Sequence, residues 1–301
     1  MTLLLGSLQL GLMYGLLAMG VYISFRILNT PDLTAEGSFT LGVAVSAMVT
    51  VAGAPYLGLL AAFLCGMAAG AVTGLLQTKV GVHPILAGIL TMSGLYTVNL
   101  AVMGASSNVS LIGKDTLFQR LFTQLAPMPK DTVKLLVGLA LAVLTLMALI
   151  WFFKTHVGLC IRATGNNEAM VRSSSINASA MKVIGLAVSN GCIALSGAIV
   201  AQYQGYADIS SGIGILVVGL ASVIIGEALF GRRGVTFGLI SAIAGSVAYR
   251  IIISLALSTN IFPTYFLKLI SAVIVAIALS LPTVKEQMVK RRIRREGKSR
   301  A

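Results

Sequence analysis

Charged residues are what this sequence has least of. Asp, Glu, Lys and Arg make up only 10% of its 301 residues, whereas a typical soluble protein carries about a quarter. A soluble protein with many buried helices would need a polar surface that this chain cannot supply, so that class is excluded. Acidic residues are especially few, with nine Asp and Glu against 22 Lys and Arg.

Residues that bind metals or perform catalysis are also scarce. The chain has two histidines and three widely spaced cysteines, Cys65, Cys160 and Cys192. That spacing fits neither a disulfide framework nor a metal site. The G-x-x-x-x-G-K-[ST] phosphate loop, H-E-x-x-H and G-x-S-x-G are missing as well. We therefore predict a non-catalytic chain that holds no metal or cofactor and does not itself bind ATP in the P-loop manner.

Long apolar runs are what the sequence has in abundance. Hydrophobic residues make up 57% of the chain, in runs of roughly 18 or more, the length that crosses a hydrocarbon core of about 30 Å. The runs lack the short alternation of a membrane β-barrel. We predict an all-α polytopic membrane protein with nine spans, or eight if the second or seventh is a re-entrant half-helix. Residues 1–284 form one transmembrane domain, and residues 285–301 form a basic tail.

The positions of Lys and Arg predict which loops are cytoplasmic. If the polar block of residues 155–182 is inside and nine spans alternate, 16 of the 22 Lys and Arg fall inside and six outside. This bias is the one that the positive-inside rule describes. It places the N-terminus outside and the tail inside, where anionic lipid attracts it. The net charge of +13 therefore predicts contact with membrane lipid, and no nucleic-acid partner.

Carboxylates stand at the start of the second span, in the stretch ILNTPDLTAEGSFTLG. Within a membrane such groups are costly unless they cap a helix, pair with a partner or face a cavity. One interpretation is that Asp32 or Thr34 caps the span and Glu36 lies in its first turn. The other is that Asp32, Glu36 and Ser38 line a transport path.

The fourth predicted span contains four uncharged polar side chains, Thr91, Ser93, Thr97 and Asn99. Such groups must be buried against protein or water. They could form hydrogen bonds between helices, or Thr91, Ser93 and Asn99 could line a central pathway. The third span differs, because Gly66, Gly70 and Gly74 recur every four residues and predict a smooth face for close helix packing.

The central block contains the stretch GLCIRATGNNEAMVRSSSIN. It resembles the loop of ABC importer permeases of the branched-chain amino acid and ribose type, with the pattern G-x-x-x-R-A-x-G-x-N-x-x-A-A-x-x-x-G-I-N. The matching residues are Gly158, Arg162, Ala163, Gly165, Asn167, Ala169, Ile176 and Asn177. Met170 replaces the usual second alanine and Ser175 the usual glycine, which leaves room for a different local turn.

Two further stretches resemble the same family. They are ILNTPDLTAEGSFTLG near the N-terminus and LASVIIGEALFGRRGVTFGLISA, which is similar to the family's glycine-rich gate region. The sequence of the first stretch is most similar to the subgroup whose binding proteins take aromatic amino acids or related small molecules. Together with the central block, these stretches extend the resemblance, in order, over most of the chain.

The resemblance implies a mechanism and a set of partners. Such permeases pair with a second copy, here as a homodimer, in a bacterial inner membrane. Cytoplasmic ATP-binding subunits carry the ATP and magnesium, and an extracytoplasmic solute-binding protein delivers a small, amino acid-like solute. The expected ATPase contacts are Arg162, Gly165, Asn166, Asn167, Glu168, Ala169 and Arg172. The expected translocation path contains Asp32, Glu36, Ser38, Thr91, Ser93 and Asn99.

An alternative class is a secondary transporter or channel. It would use the intramembrane charges Glu36, Glu227, Arg250 and Lys268 for ion coupling, since such charges mark functional sites. Inverted repeats with matching broken helices would favour it, and the sequence shows no convincing repeat. The two classes differ in whether transport requires a separate ATPase.

Overall fold

The computed structural model describes residues 2–124, 128–231 and 234–258, with a few isolated positions between 269 and 276. The basic tail, Lys268, and most of the predicted ninth span lie outside the described residues. The described elements, in chain order, are α1 (Thr2–Tyr22), a π-helical turn (Ile23–Ile27), α2 (Thr34–Val51), α3 (Pro55–Thr78), α4 (Pro84–Val102), β1 (Asn108–Ser110), α5 (Leu117–Gln124), α6 (Lys130–Lys154), α7 (His156–Asn166), α8 (Glu168–Ser173), α9 (Ala178–Gln204), β2 (Tyr206–Asp208), α10 (Ile215–Phe230) and α11 (Val235–Ser258).

Helical spans dominate the described chain, which confirms an all-α polytopic membrane protein. Among the described residues, seven helices are long and apolar enough to cross a membrane, and the apolar helix α10 is shorter. The sixth predicted span begins earlier than expected, because α9 starts at Ala178, within the polar block of residues 155–182. Asn177 explains the early start, since its side chain accepts a hydrogen bond from the Ala180 N–H and caps the helix.

Helix α9 is the centre of the structure and packs against α1, α2, α3 and α7. Helix α1 runs antiparallel to it: Ser189 donates a hydrogen bond to the carbonyl of Gly20, and Ser196 donates one to that of Met13. The start of α1 therefore lies at the opposite end of the bundle from α7 and α8.

Two helices, α2 and α10, begin inside the bundle rather than at its ends. The side chain of Asp32, just before α2, meets Asn190, which lies 12 residues into α9, or about 18 Å from the start of that helix. The residue before α10, Gly214, meets Glu36 in the first turn of α2. The second and seventh spans are thus broken helices whose first turns lie next to each other.

The chain between α1 and α2 is not helical throughout. In the π-helical turn, the Leu28 N–H reaches back to the carbonyl of Ile23, and the Thr30 N–H reaches the carbonyl of Ser24. Asn29 follows with a φ of 52°, in the left-handed region that non-glycine residues rarely occupy. We call residues 23–33 the break.

The glycines of α3 pack against α9, as their spacing predicts. A Cβ atom added at Gly70 would overlap the carbonyl oxygen of Leu186, and one at Gly74 would lie 2.8 Å from the Cα of Val183. Because no side chains separate the two helices here, their backbones are in direct contact. We call this contact the α3–α9 seam.

At the end of the bundle opposite α7 and α8, a small sheet folds over α9. Strands β1 and β2 pair antiparallel, with Val109 opposite Ala207. The N–H of Leu117 donates to the side chain of Gln202, near the end of α9. Sequence analysis gave no indication of this sheet, because a pairing between segments so far apart leaves no local pattern. We call residues 106–117 and 205–210 the ledge.

The seam predicts opposite effects for two glycine-to-alanine changes. Gly70→Ala should lower stability by about 1–3 kcal/mol, because the new methyl group overpacks the seam. Gly94→Ala should be neutral or stabilising by roughly 0.5–1 kcal/mol, since a Cβ at Gly94 meets nothing within 4 Å. Thermal unfolding of the two variants in detergent measures the difference. Equal melting temperatures would contradict the close packing of α3 and α9.

Candidate functional site

Asp32 is fully buried and caps α2. One carboxylate oxygen accepts the N–H of Thr34 at 2.9 Å, and the other accepts the amide of Asn190 at 2.6 Å. The first bond satisfies a backbone donor that helix geometry leaves open, and the second fastens the start of α2 to α9. The side chain of Asp32 therefore acts as a cap on the start of α2, and it is not among the residues that line the cavity described below.

Thr34 begins a row of hydroxyl groups that joins three helices. Its hydroxyl lies 2.8 Å from that of Thr73 in α3, which donates to Thr91 in α4 at 3.0 Å. Thr91 therefore forms the hydrogen bonds between helices that one interpretation of α4 predicted. Ser38 is also fully buried, and its hydroxyl has no hydrogen-bond partner in the described part of the chain. Neither Ser38 nor Thr91 is among the residues that line the cavity described next.

The other three predicted path residues come together. Glu36, Ser93 and Asn99 line one cavity of about 510 Å³ between α2, α4 and the chain leading into α10. Tyr96, whose side chain sequence analysis did not single out, also lines it and is 57% exposed. Tyr96 lies three residues after Ser93 and three before Asn99, so helical spacing alone could have placed it on the same face.

The wall of this cavity is mostly apolar and includes a few hydrogen-bond acceptors. A carboxylate oxygen of Glu36 accepts the N–H of Gly214 at 3.0 Å, just before the first turn of α10. The Asn99 amide donates to the carbonyl of Gly37 at 3.2 Å, while its own oxygen is buried without a partner among the described residues. Such a lining suits a small solute that offers hydrogen-bond donors, in particular an ammonium group.

Side-chain caps organise the α7–α8 segment, residues 155–177. Thr155 accepts the N–H of Gly158 at the start of α7, and Asn167 accepts the N–H of Met170 at the start of α8. Asn167 therefore defines where α8 begins. Ser175 has a φ of 61°, so it adopts the left-handed conformation that glycine favours. The chain therefore forms a left-handed turn at this position, although the residue is serine and not glycine.

Glu168 fastens α8 to α9. Its carboxylate accepts from Lys182 at 2.6 Å and from Arg172 at 2.8 Å. The hydrogen bond from Lys182, followed by that from Arg172, holds the pKa of Glu168 below its ordinary value, because both stabilise the charged form. The carboxylate is therefore ionised at neutral pH. Its pair with Lys182 joins α8 to α9, and its pair with Arg172 lies within α8.

The predicted ATPase contacts fall into two groups. Asn166, Asn167, Ala169 and Arg172 are exposed, on a tip that also presents Met170, which is 57% exposed. Arg162, Gly165 and Glu168 are half-buried. Gly165 packs inward, because a Cβ added there would overlap the carbonyl oxygen of Ile27. Sequence analysis noted Met170 only as a departure from the family pattern. In the structure it is an exposed apolar side chain on this tip.

Three of the four charges that an ion-coupled transporter would use, Glu36, Glu227 and Arg250, contact other groups, and the fourth, Lys268, lies outside the described residues. Arg26 and Glu227 form an ion pair at 2.6 Å. The guanidinium of Arg250 lies 3.8 Å from the ring centre of Tyr14, a cation–π contact. Among the described residues, no group of three His, Cys, Asp or Glu side chains is placed to hold a metal ion.

Comparison with known proteins, like the geometry, indicates a transport permease. The family described as "Branched-chain amino acid transport system / permease component" matches residues 3–279. A tyrosine transport system permease protein of Clostridioides difficile is 38% identical over 266 residues, which cover 88% of this chain and 86% of that protein. The ribose import permease protein of Escherichia coli K12 is more distant, at 27% identity over 82% of this chain and 72% of its own.

A solved structure shares the fold. It is titled "PsaBC from Streptococcus pneumoniae in complex with Fab" and aligns with a TM-score of 0.51 over 93% of this chain and 90% of that chain. The sequences are 15% identical, so this likeness concerns the fold alone. The family match and the C. difficile relative cover nearly the whole chain, and they agree with the resemblance seen in the central block. The chain belongs to the family of permease components of branched-chain amino acid transport systems.

Proposed function

We propose that this chain is the transmembrane subunit of an ATP-driven importer, moved by cytoplasmic ATPase subunits that dock on the α7–α8 segment. The observation that carries the proposal is the exposed tip of Asn166, Ala169 and Met170, held on α9 by the Glu168–Lys182 ion pair. An exposed apolar side chain on a firmly attached helix suits a protein partner. ATP and magnesium would belong to that partner, and this chain would be non-catalytic.

The cavity lined by Glu36, Ser93 and Asn99 is the proposed part of the translocation path that this chain contributes. Its acceptors suit the ammonium group of an amino acid-like solute. The C. difficile relative is named for tyrosine transport, which supports an amino acid as the solute. In this proposal, Asp32, Ser38 and Thr91 support the wall of the path and do not touch the solute.

A second copy of the chain would complete the path. Ser93 and Tyr96 are exposed on α4, although α4 is one of the helices that can cross the membrane. The polar groups of the cavity would be costly if they faced lipid, because the hydrocarbon region offers them no hydrogen-bond partner. A homodimer in which this face of α4 meets the partner subunit would remove that cost.

The ledge is the proposed docking surface for an extracytoplasmic solute-binding protein. It lies at the end of the bundle opposite the α7–α8 segment, and its Ile112 is 86% exposed. The orientation that follows has the start of α1 outside and the α7–α8 segment in the cytoplasm of a bacterium. This is the orientation that the distribution of Lys and Arg predicts.

A charge reversal tests the ATPase contact. Glu168→Arg should release the ATPase from the purified permease, because it places three cations together and detaches α8 from Lys182. The measurement is copurification of the ATPase with the detergent-extracted chain. Asp115→Arg is the matched control, since Asp115 is exposed in the ledge, at the other end of the bundle from the ATPase contact, and it should leave copurification unchanged. Retention of the ATPase by Glu168→Arg would contradict the proposed contact.

The ion pairs of Glu168 also predict a pH dependence. Since the pKa of Glu168 is held below its ordinary value, the pairs stabilise α8 at all pH values above the usual glutamate range and are lost only as the pH falls through the lowered pKa. Copurification of the ATPase should therefore be equal at pH 6 and pH 8. A loss between those two values would indicate that another titrating group controls docking.

Removing the charge of Glu36 tests the cavity. Glu36→Gln should lower ATP-driven uptake by roughly tenfold or more, because a hydrogen bond to a charged group contributes about 1.5–3 kcal/mol and each 1.4 kcal/mol is tenfold. ATPase copurification should be unchanged. Asp131→Asn is the control for loss of one exposed carboxylate outside both the cavity and the ledge. Uptake at the wild-type rate by Glu36→Gln would exclude the cavity from the path.

A further inference from the structure

The α7–α8 segment touches the break directly. Gly165, in the last turn of α7, lies against the backbone of Ile27, and a Cβ added to Gly165 would overlap the Ile27 carbonyl oxygen. Because this contact is between two backbones, no flexible side chain can absorb a displacement of α7. Close-packed groups of this kind transmit movement to their neighbours.

The break has the features of a segment that changes shape. Its π-helical turn replaces ordinary helical hydrogen bonds with bonds that reach back five and six residues, from Leu28 to Ile23 and from Thr30 to Ser24. Such turns are frequent at functional sites. Asn29, directly after the turn, is held in the left-handed region with a φ of 52°. Strain at a non-glycine residue persists only where the surrounding contacts enforce it.

The other end of the break leads to the cavity. Asp32 is fastened to Asn190 in α9, and Glu36 follows one helical turn later. The carboxylate of Glu36 holds Gly214 at the start of α10. Arg26, within the break, forms an ion pair with Glu227 near the end of the same helix. Helix α10 is thus held at both ends by residues of the break or of the turn that follows it.

We propose that the break is the mechanical link between ATPase docking and the Glu36 cavity, with Gly165 and Asn29 as its positioning residues. Displacement of α7 moves Ile27, the break shifts about the fixed Asp32–Asn190 pair, and the position of α10 against Glu36 changes. This inference rests on the proposed function. It assigns to Gly165 a role inside the permease rather than at the ATPase surface.

Two glycine variants test the link without disturbing the fold. Asn29→Gly relaxes the break, and glycine accepts positive φ freely. Ala105→Gly is its match, because Ala105 also has a positive φ, of 61°, outside the break and the cavity. Both variants are reconstituted in liposomes with the ATPase and binding protein, and solute uptake per ATP hydrolysed is measured. Asn29→Gly should lower this ratio at least threefold, and Ala105→Gly should keep the wild-type ratio.

Gly165→Ala tests the contact with α7. It should retain the ATPase on copurification but lower uptake per ATP hydrolysed at least threefold. Gly70→Ala is the control for steric overlap alone, since it overlaps a carbonyl oxygen of α9 in the seam. Its folded fraction should keep the wild-type ratio. If Gly165→Ala does not fold, the Asn29→Gly comparison still decides the inference.

The outcomes separate the inference from the proposed function. If the wild type couples uptake to ATP hydrolysis and Asn29→Gly does so equally well, the proposed mechanical link is wrong, but the proposed importer function is still supported. If both glycine variants lose coupling alike, the effect is general flexibility, and the link is again wrong. If wild-type uptake needs no ATPase, the proposed function is wrong, and so is the inference that rests on it.

Discussion

The structure depends on how the first turns of two broken helices are satisfied within an apolar bundle. No water is available inside a membrane to hydrogen-bond to backbone N–H groups, so the acceptors must come from the protein. Asp32 supplies one at the start of α2, and Glu36 supplies one just before α10. Carboxylates also interact favourably with the positive end of a helix dipole. Two of the nine acidic residues of the chain therefore hold its least regular region together.

The polar groups of this region form two sets, those buried between helices and those that line the cavity. Asp32 and the row of Thr34, Thr73 and Thr91 are buried between helices, where they fix α2, α3, α4 and α9 relative to one another. Glu36 belongs to both sets, because it holds Gly214 and also lines the cavity. A residue with both roles connects the position of α10 to the shape of the space that a solute would enter.

Local patterns in the sequence predicted the parts of this structure that depend on neighbouring residues. The spans follow from the apolar runs, the smooth face of α3 from its glycine spacing, and the cap of α2 from Asp32 and its position. The contact between Glu36 and Gly214 could not be predicted in that way, since 178 residues separate them. The same holds for β1 and β2. Ser175 shows the converse, because the turn persists although the residue type that predicts it has changed.

The central claim is that this permease moves its solute only when an ATPase partner hydrolyses ATP. The most direct measurement is uptake into liposomes that contain the purified chain, with and without the ATPase and binding protein, in the presence of ATP and then of an ion gradient alone. We expect uptake only with the partners and ATP. Uptake by the chain alone, driven by the gradient, would contradict this account and make Glu36, Glu227 and Arg250 candidates for ion coupling.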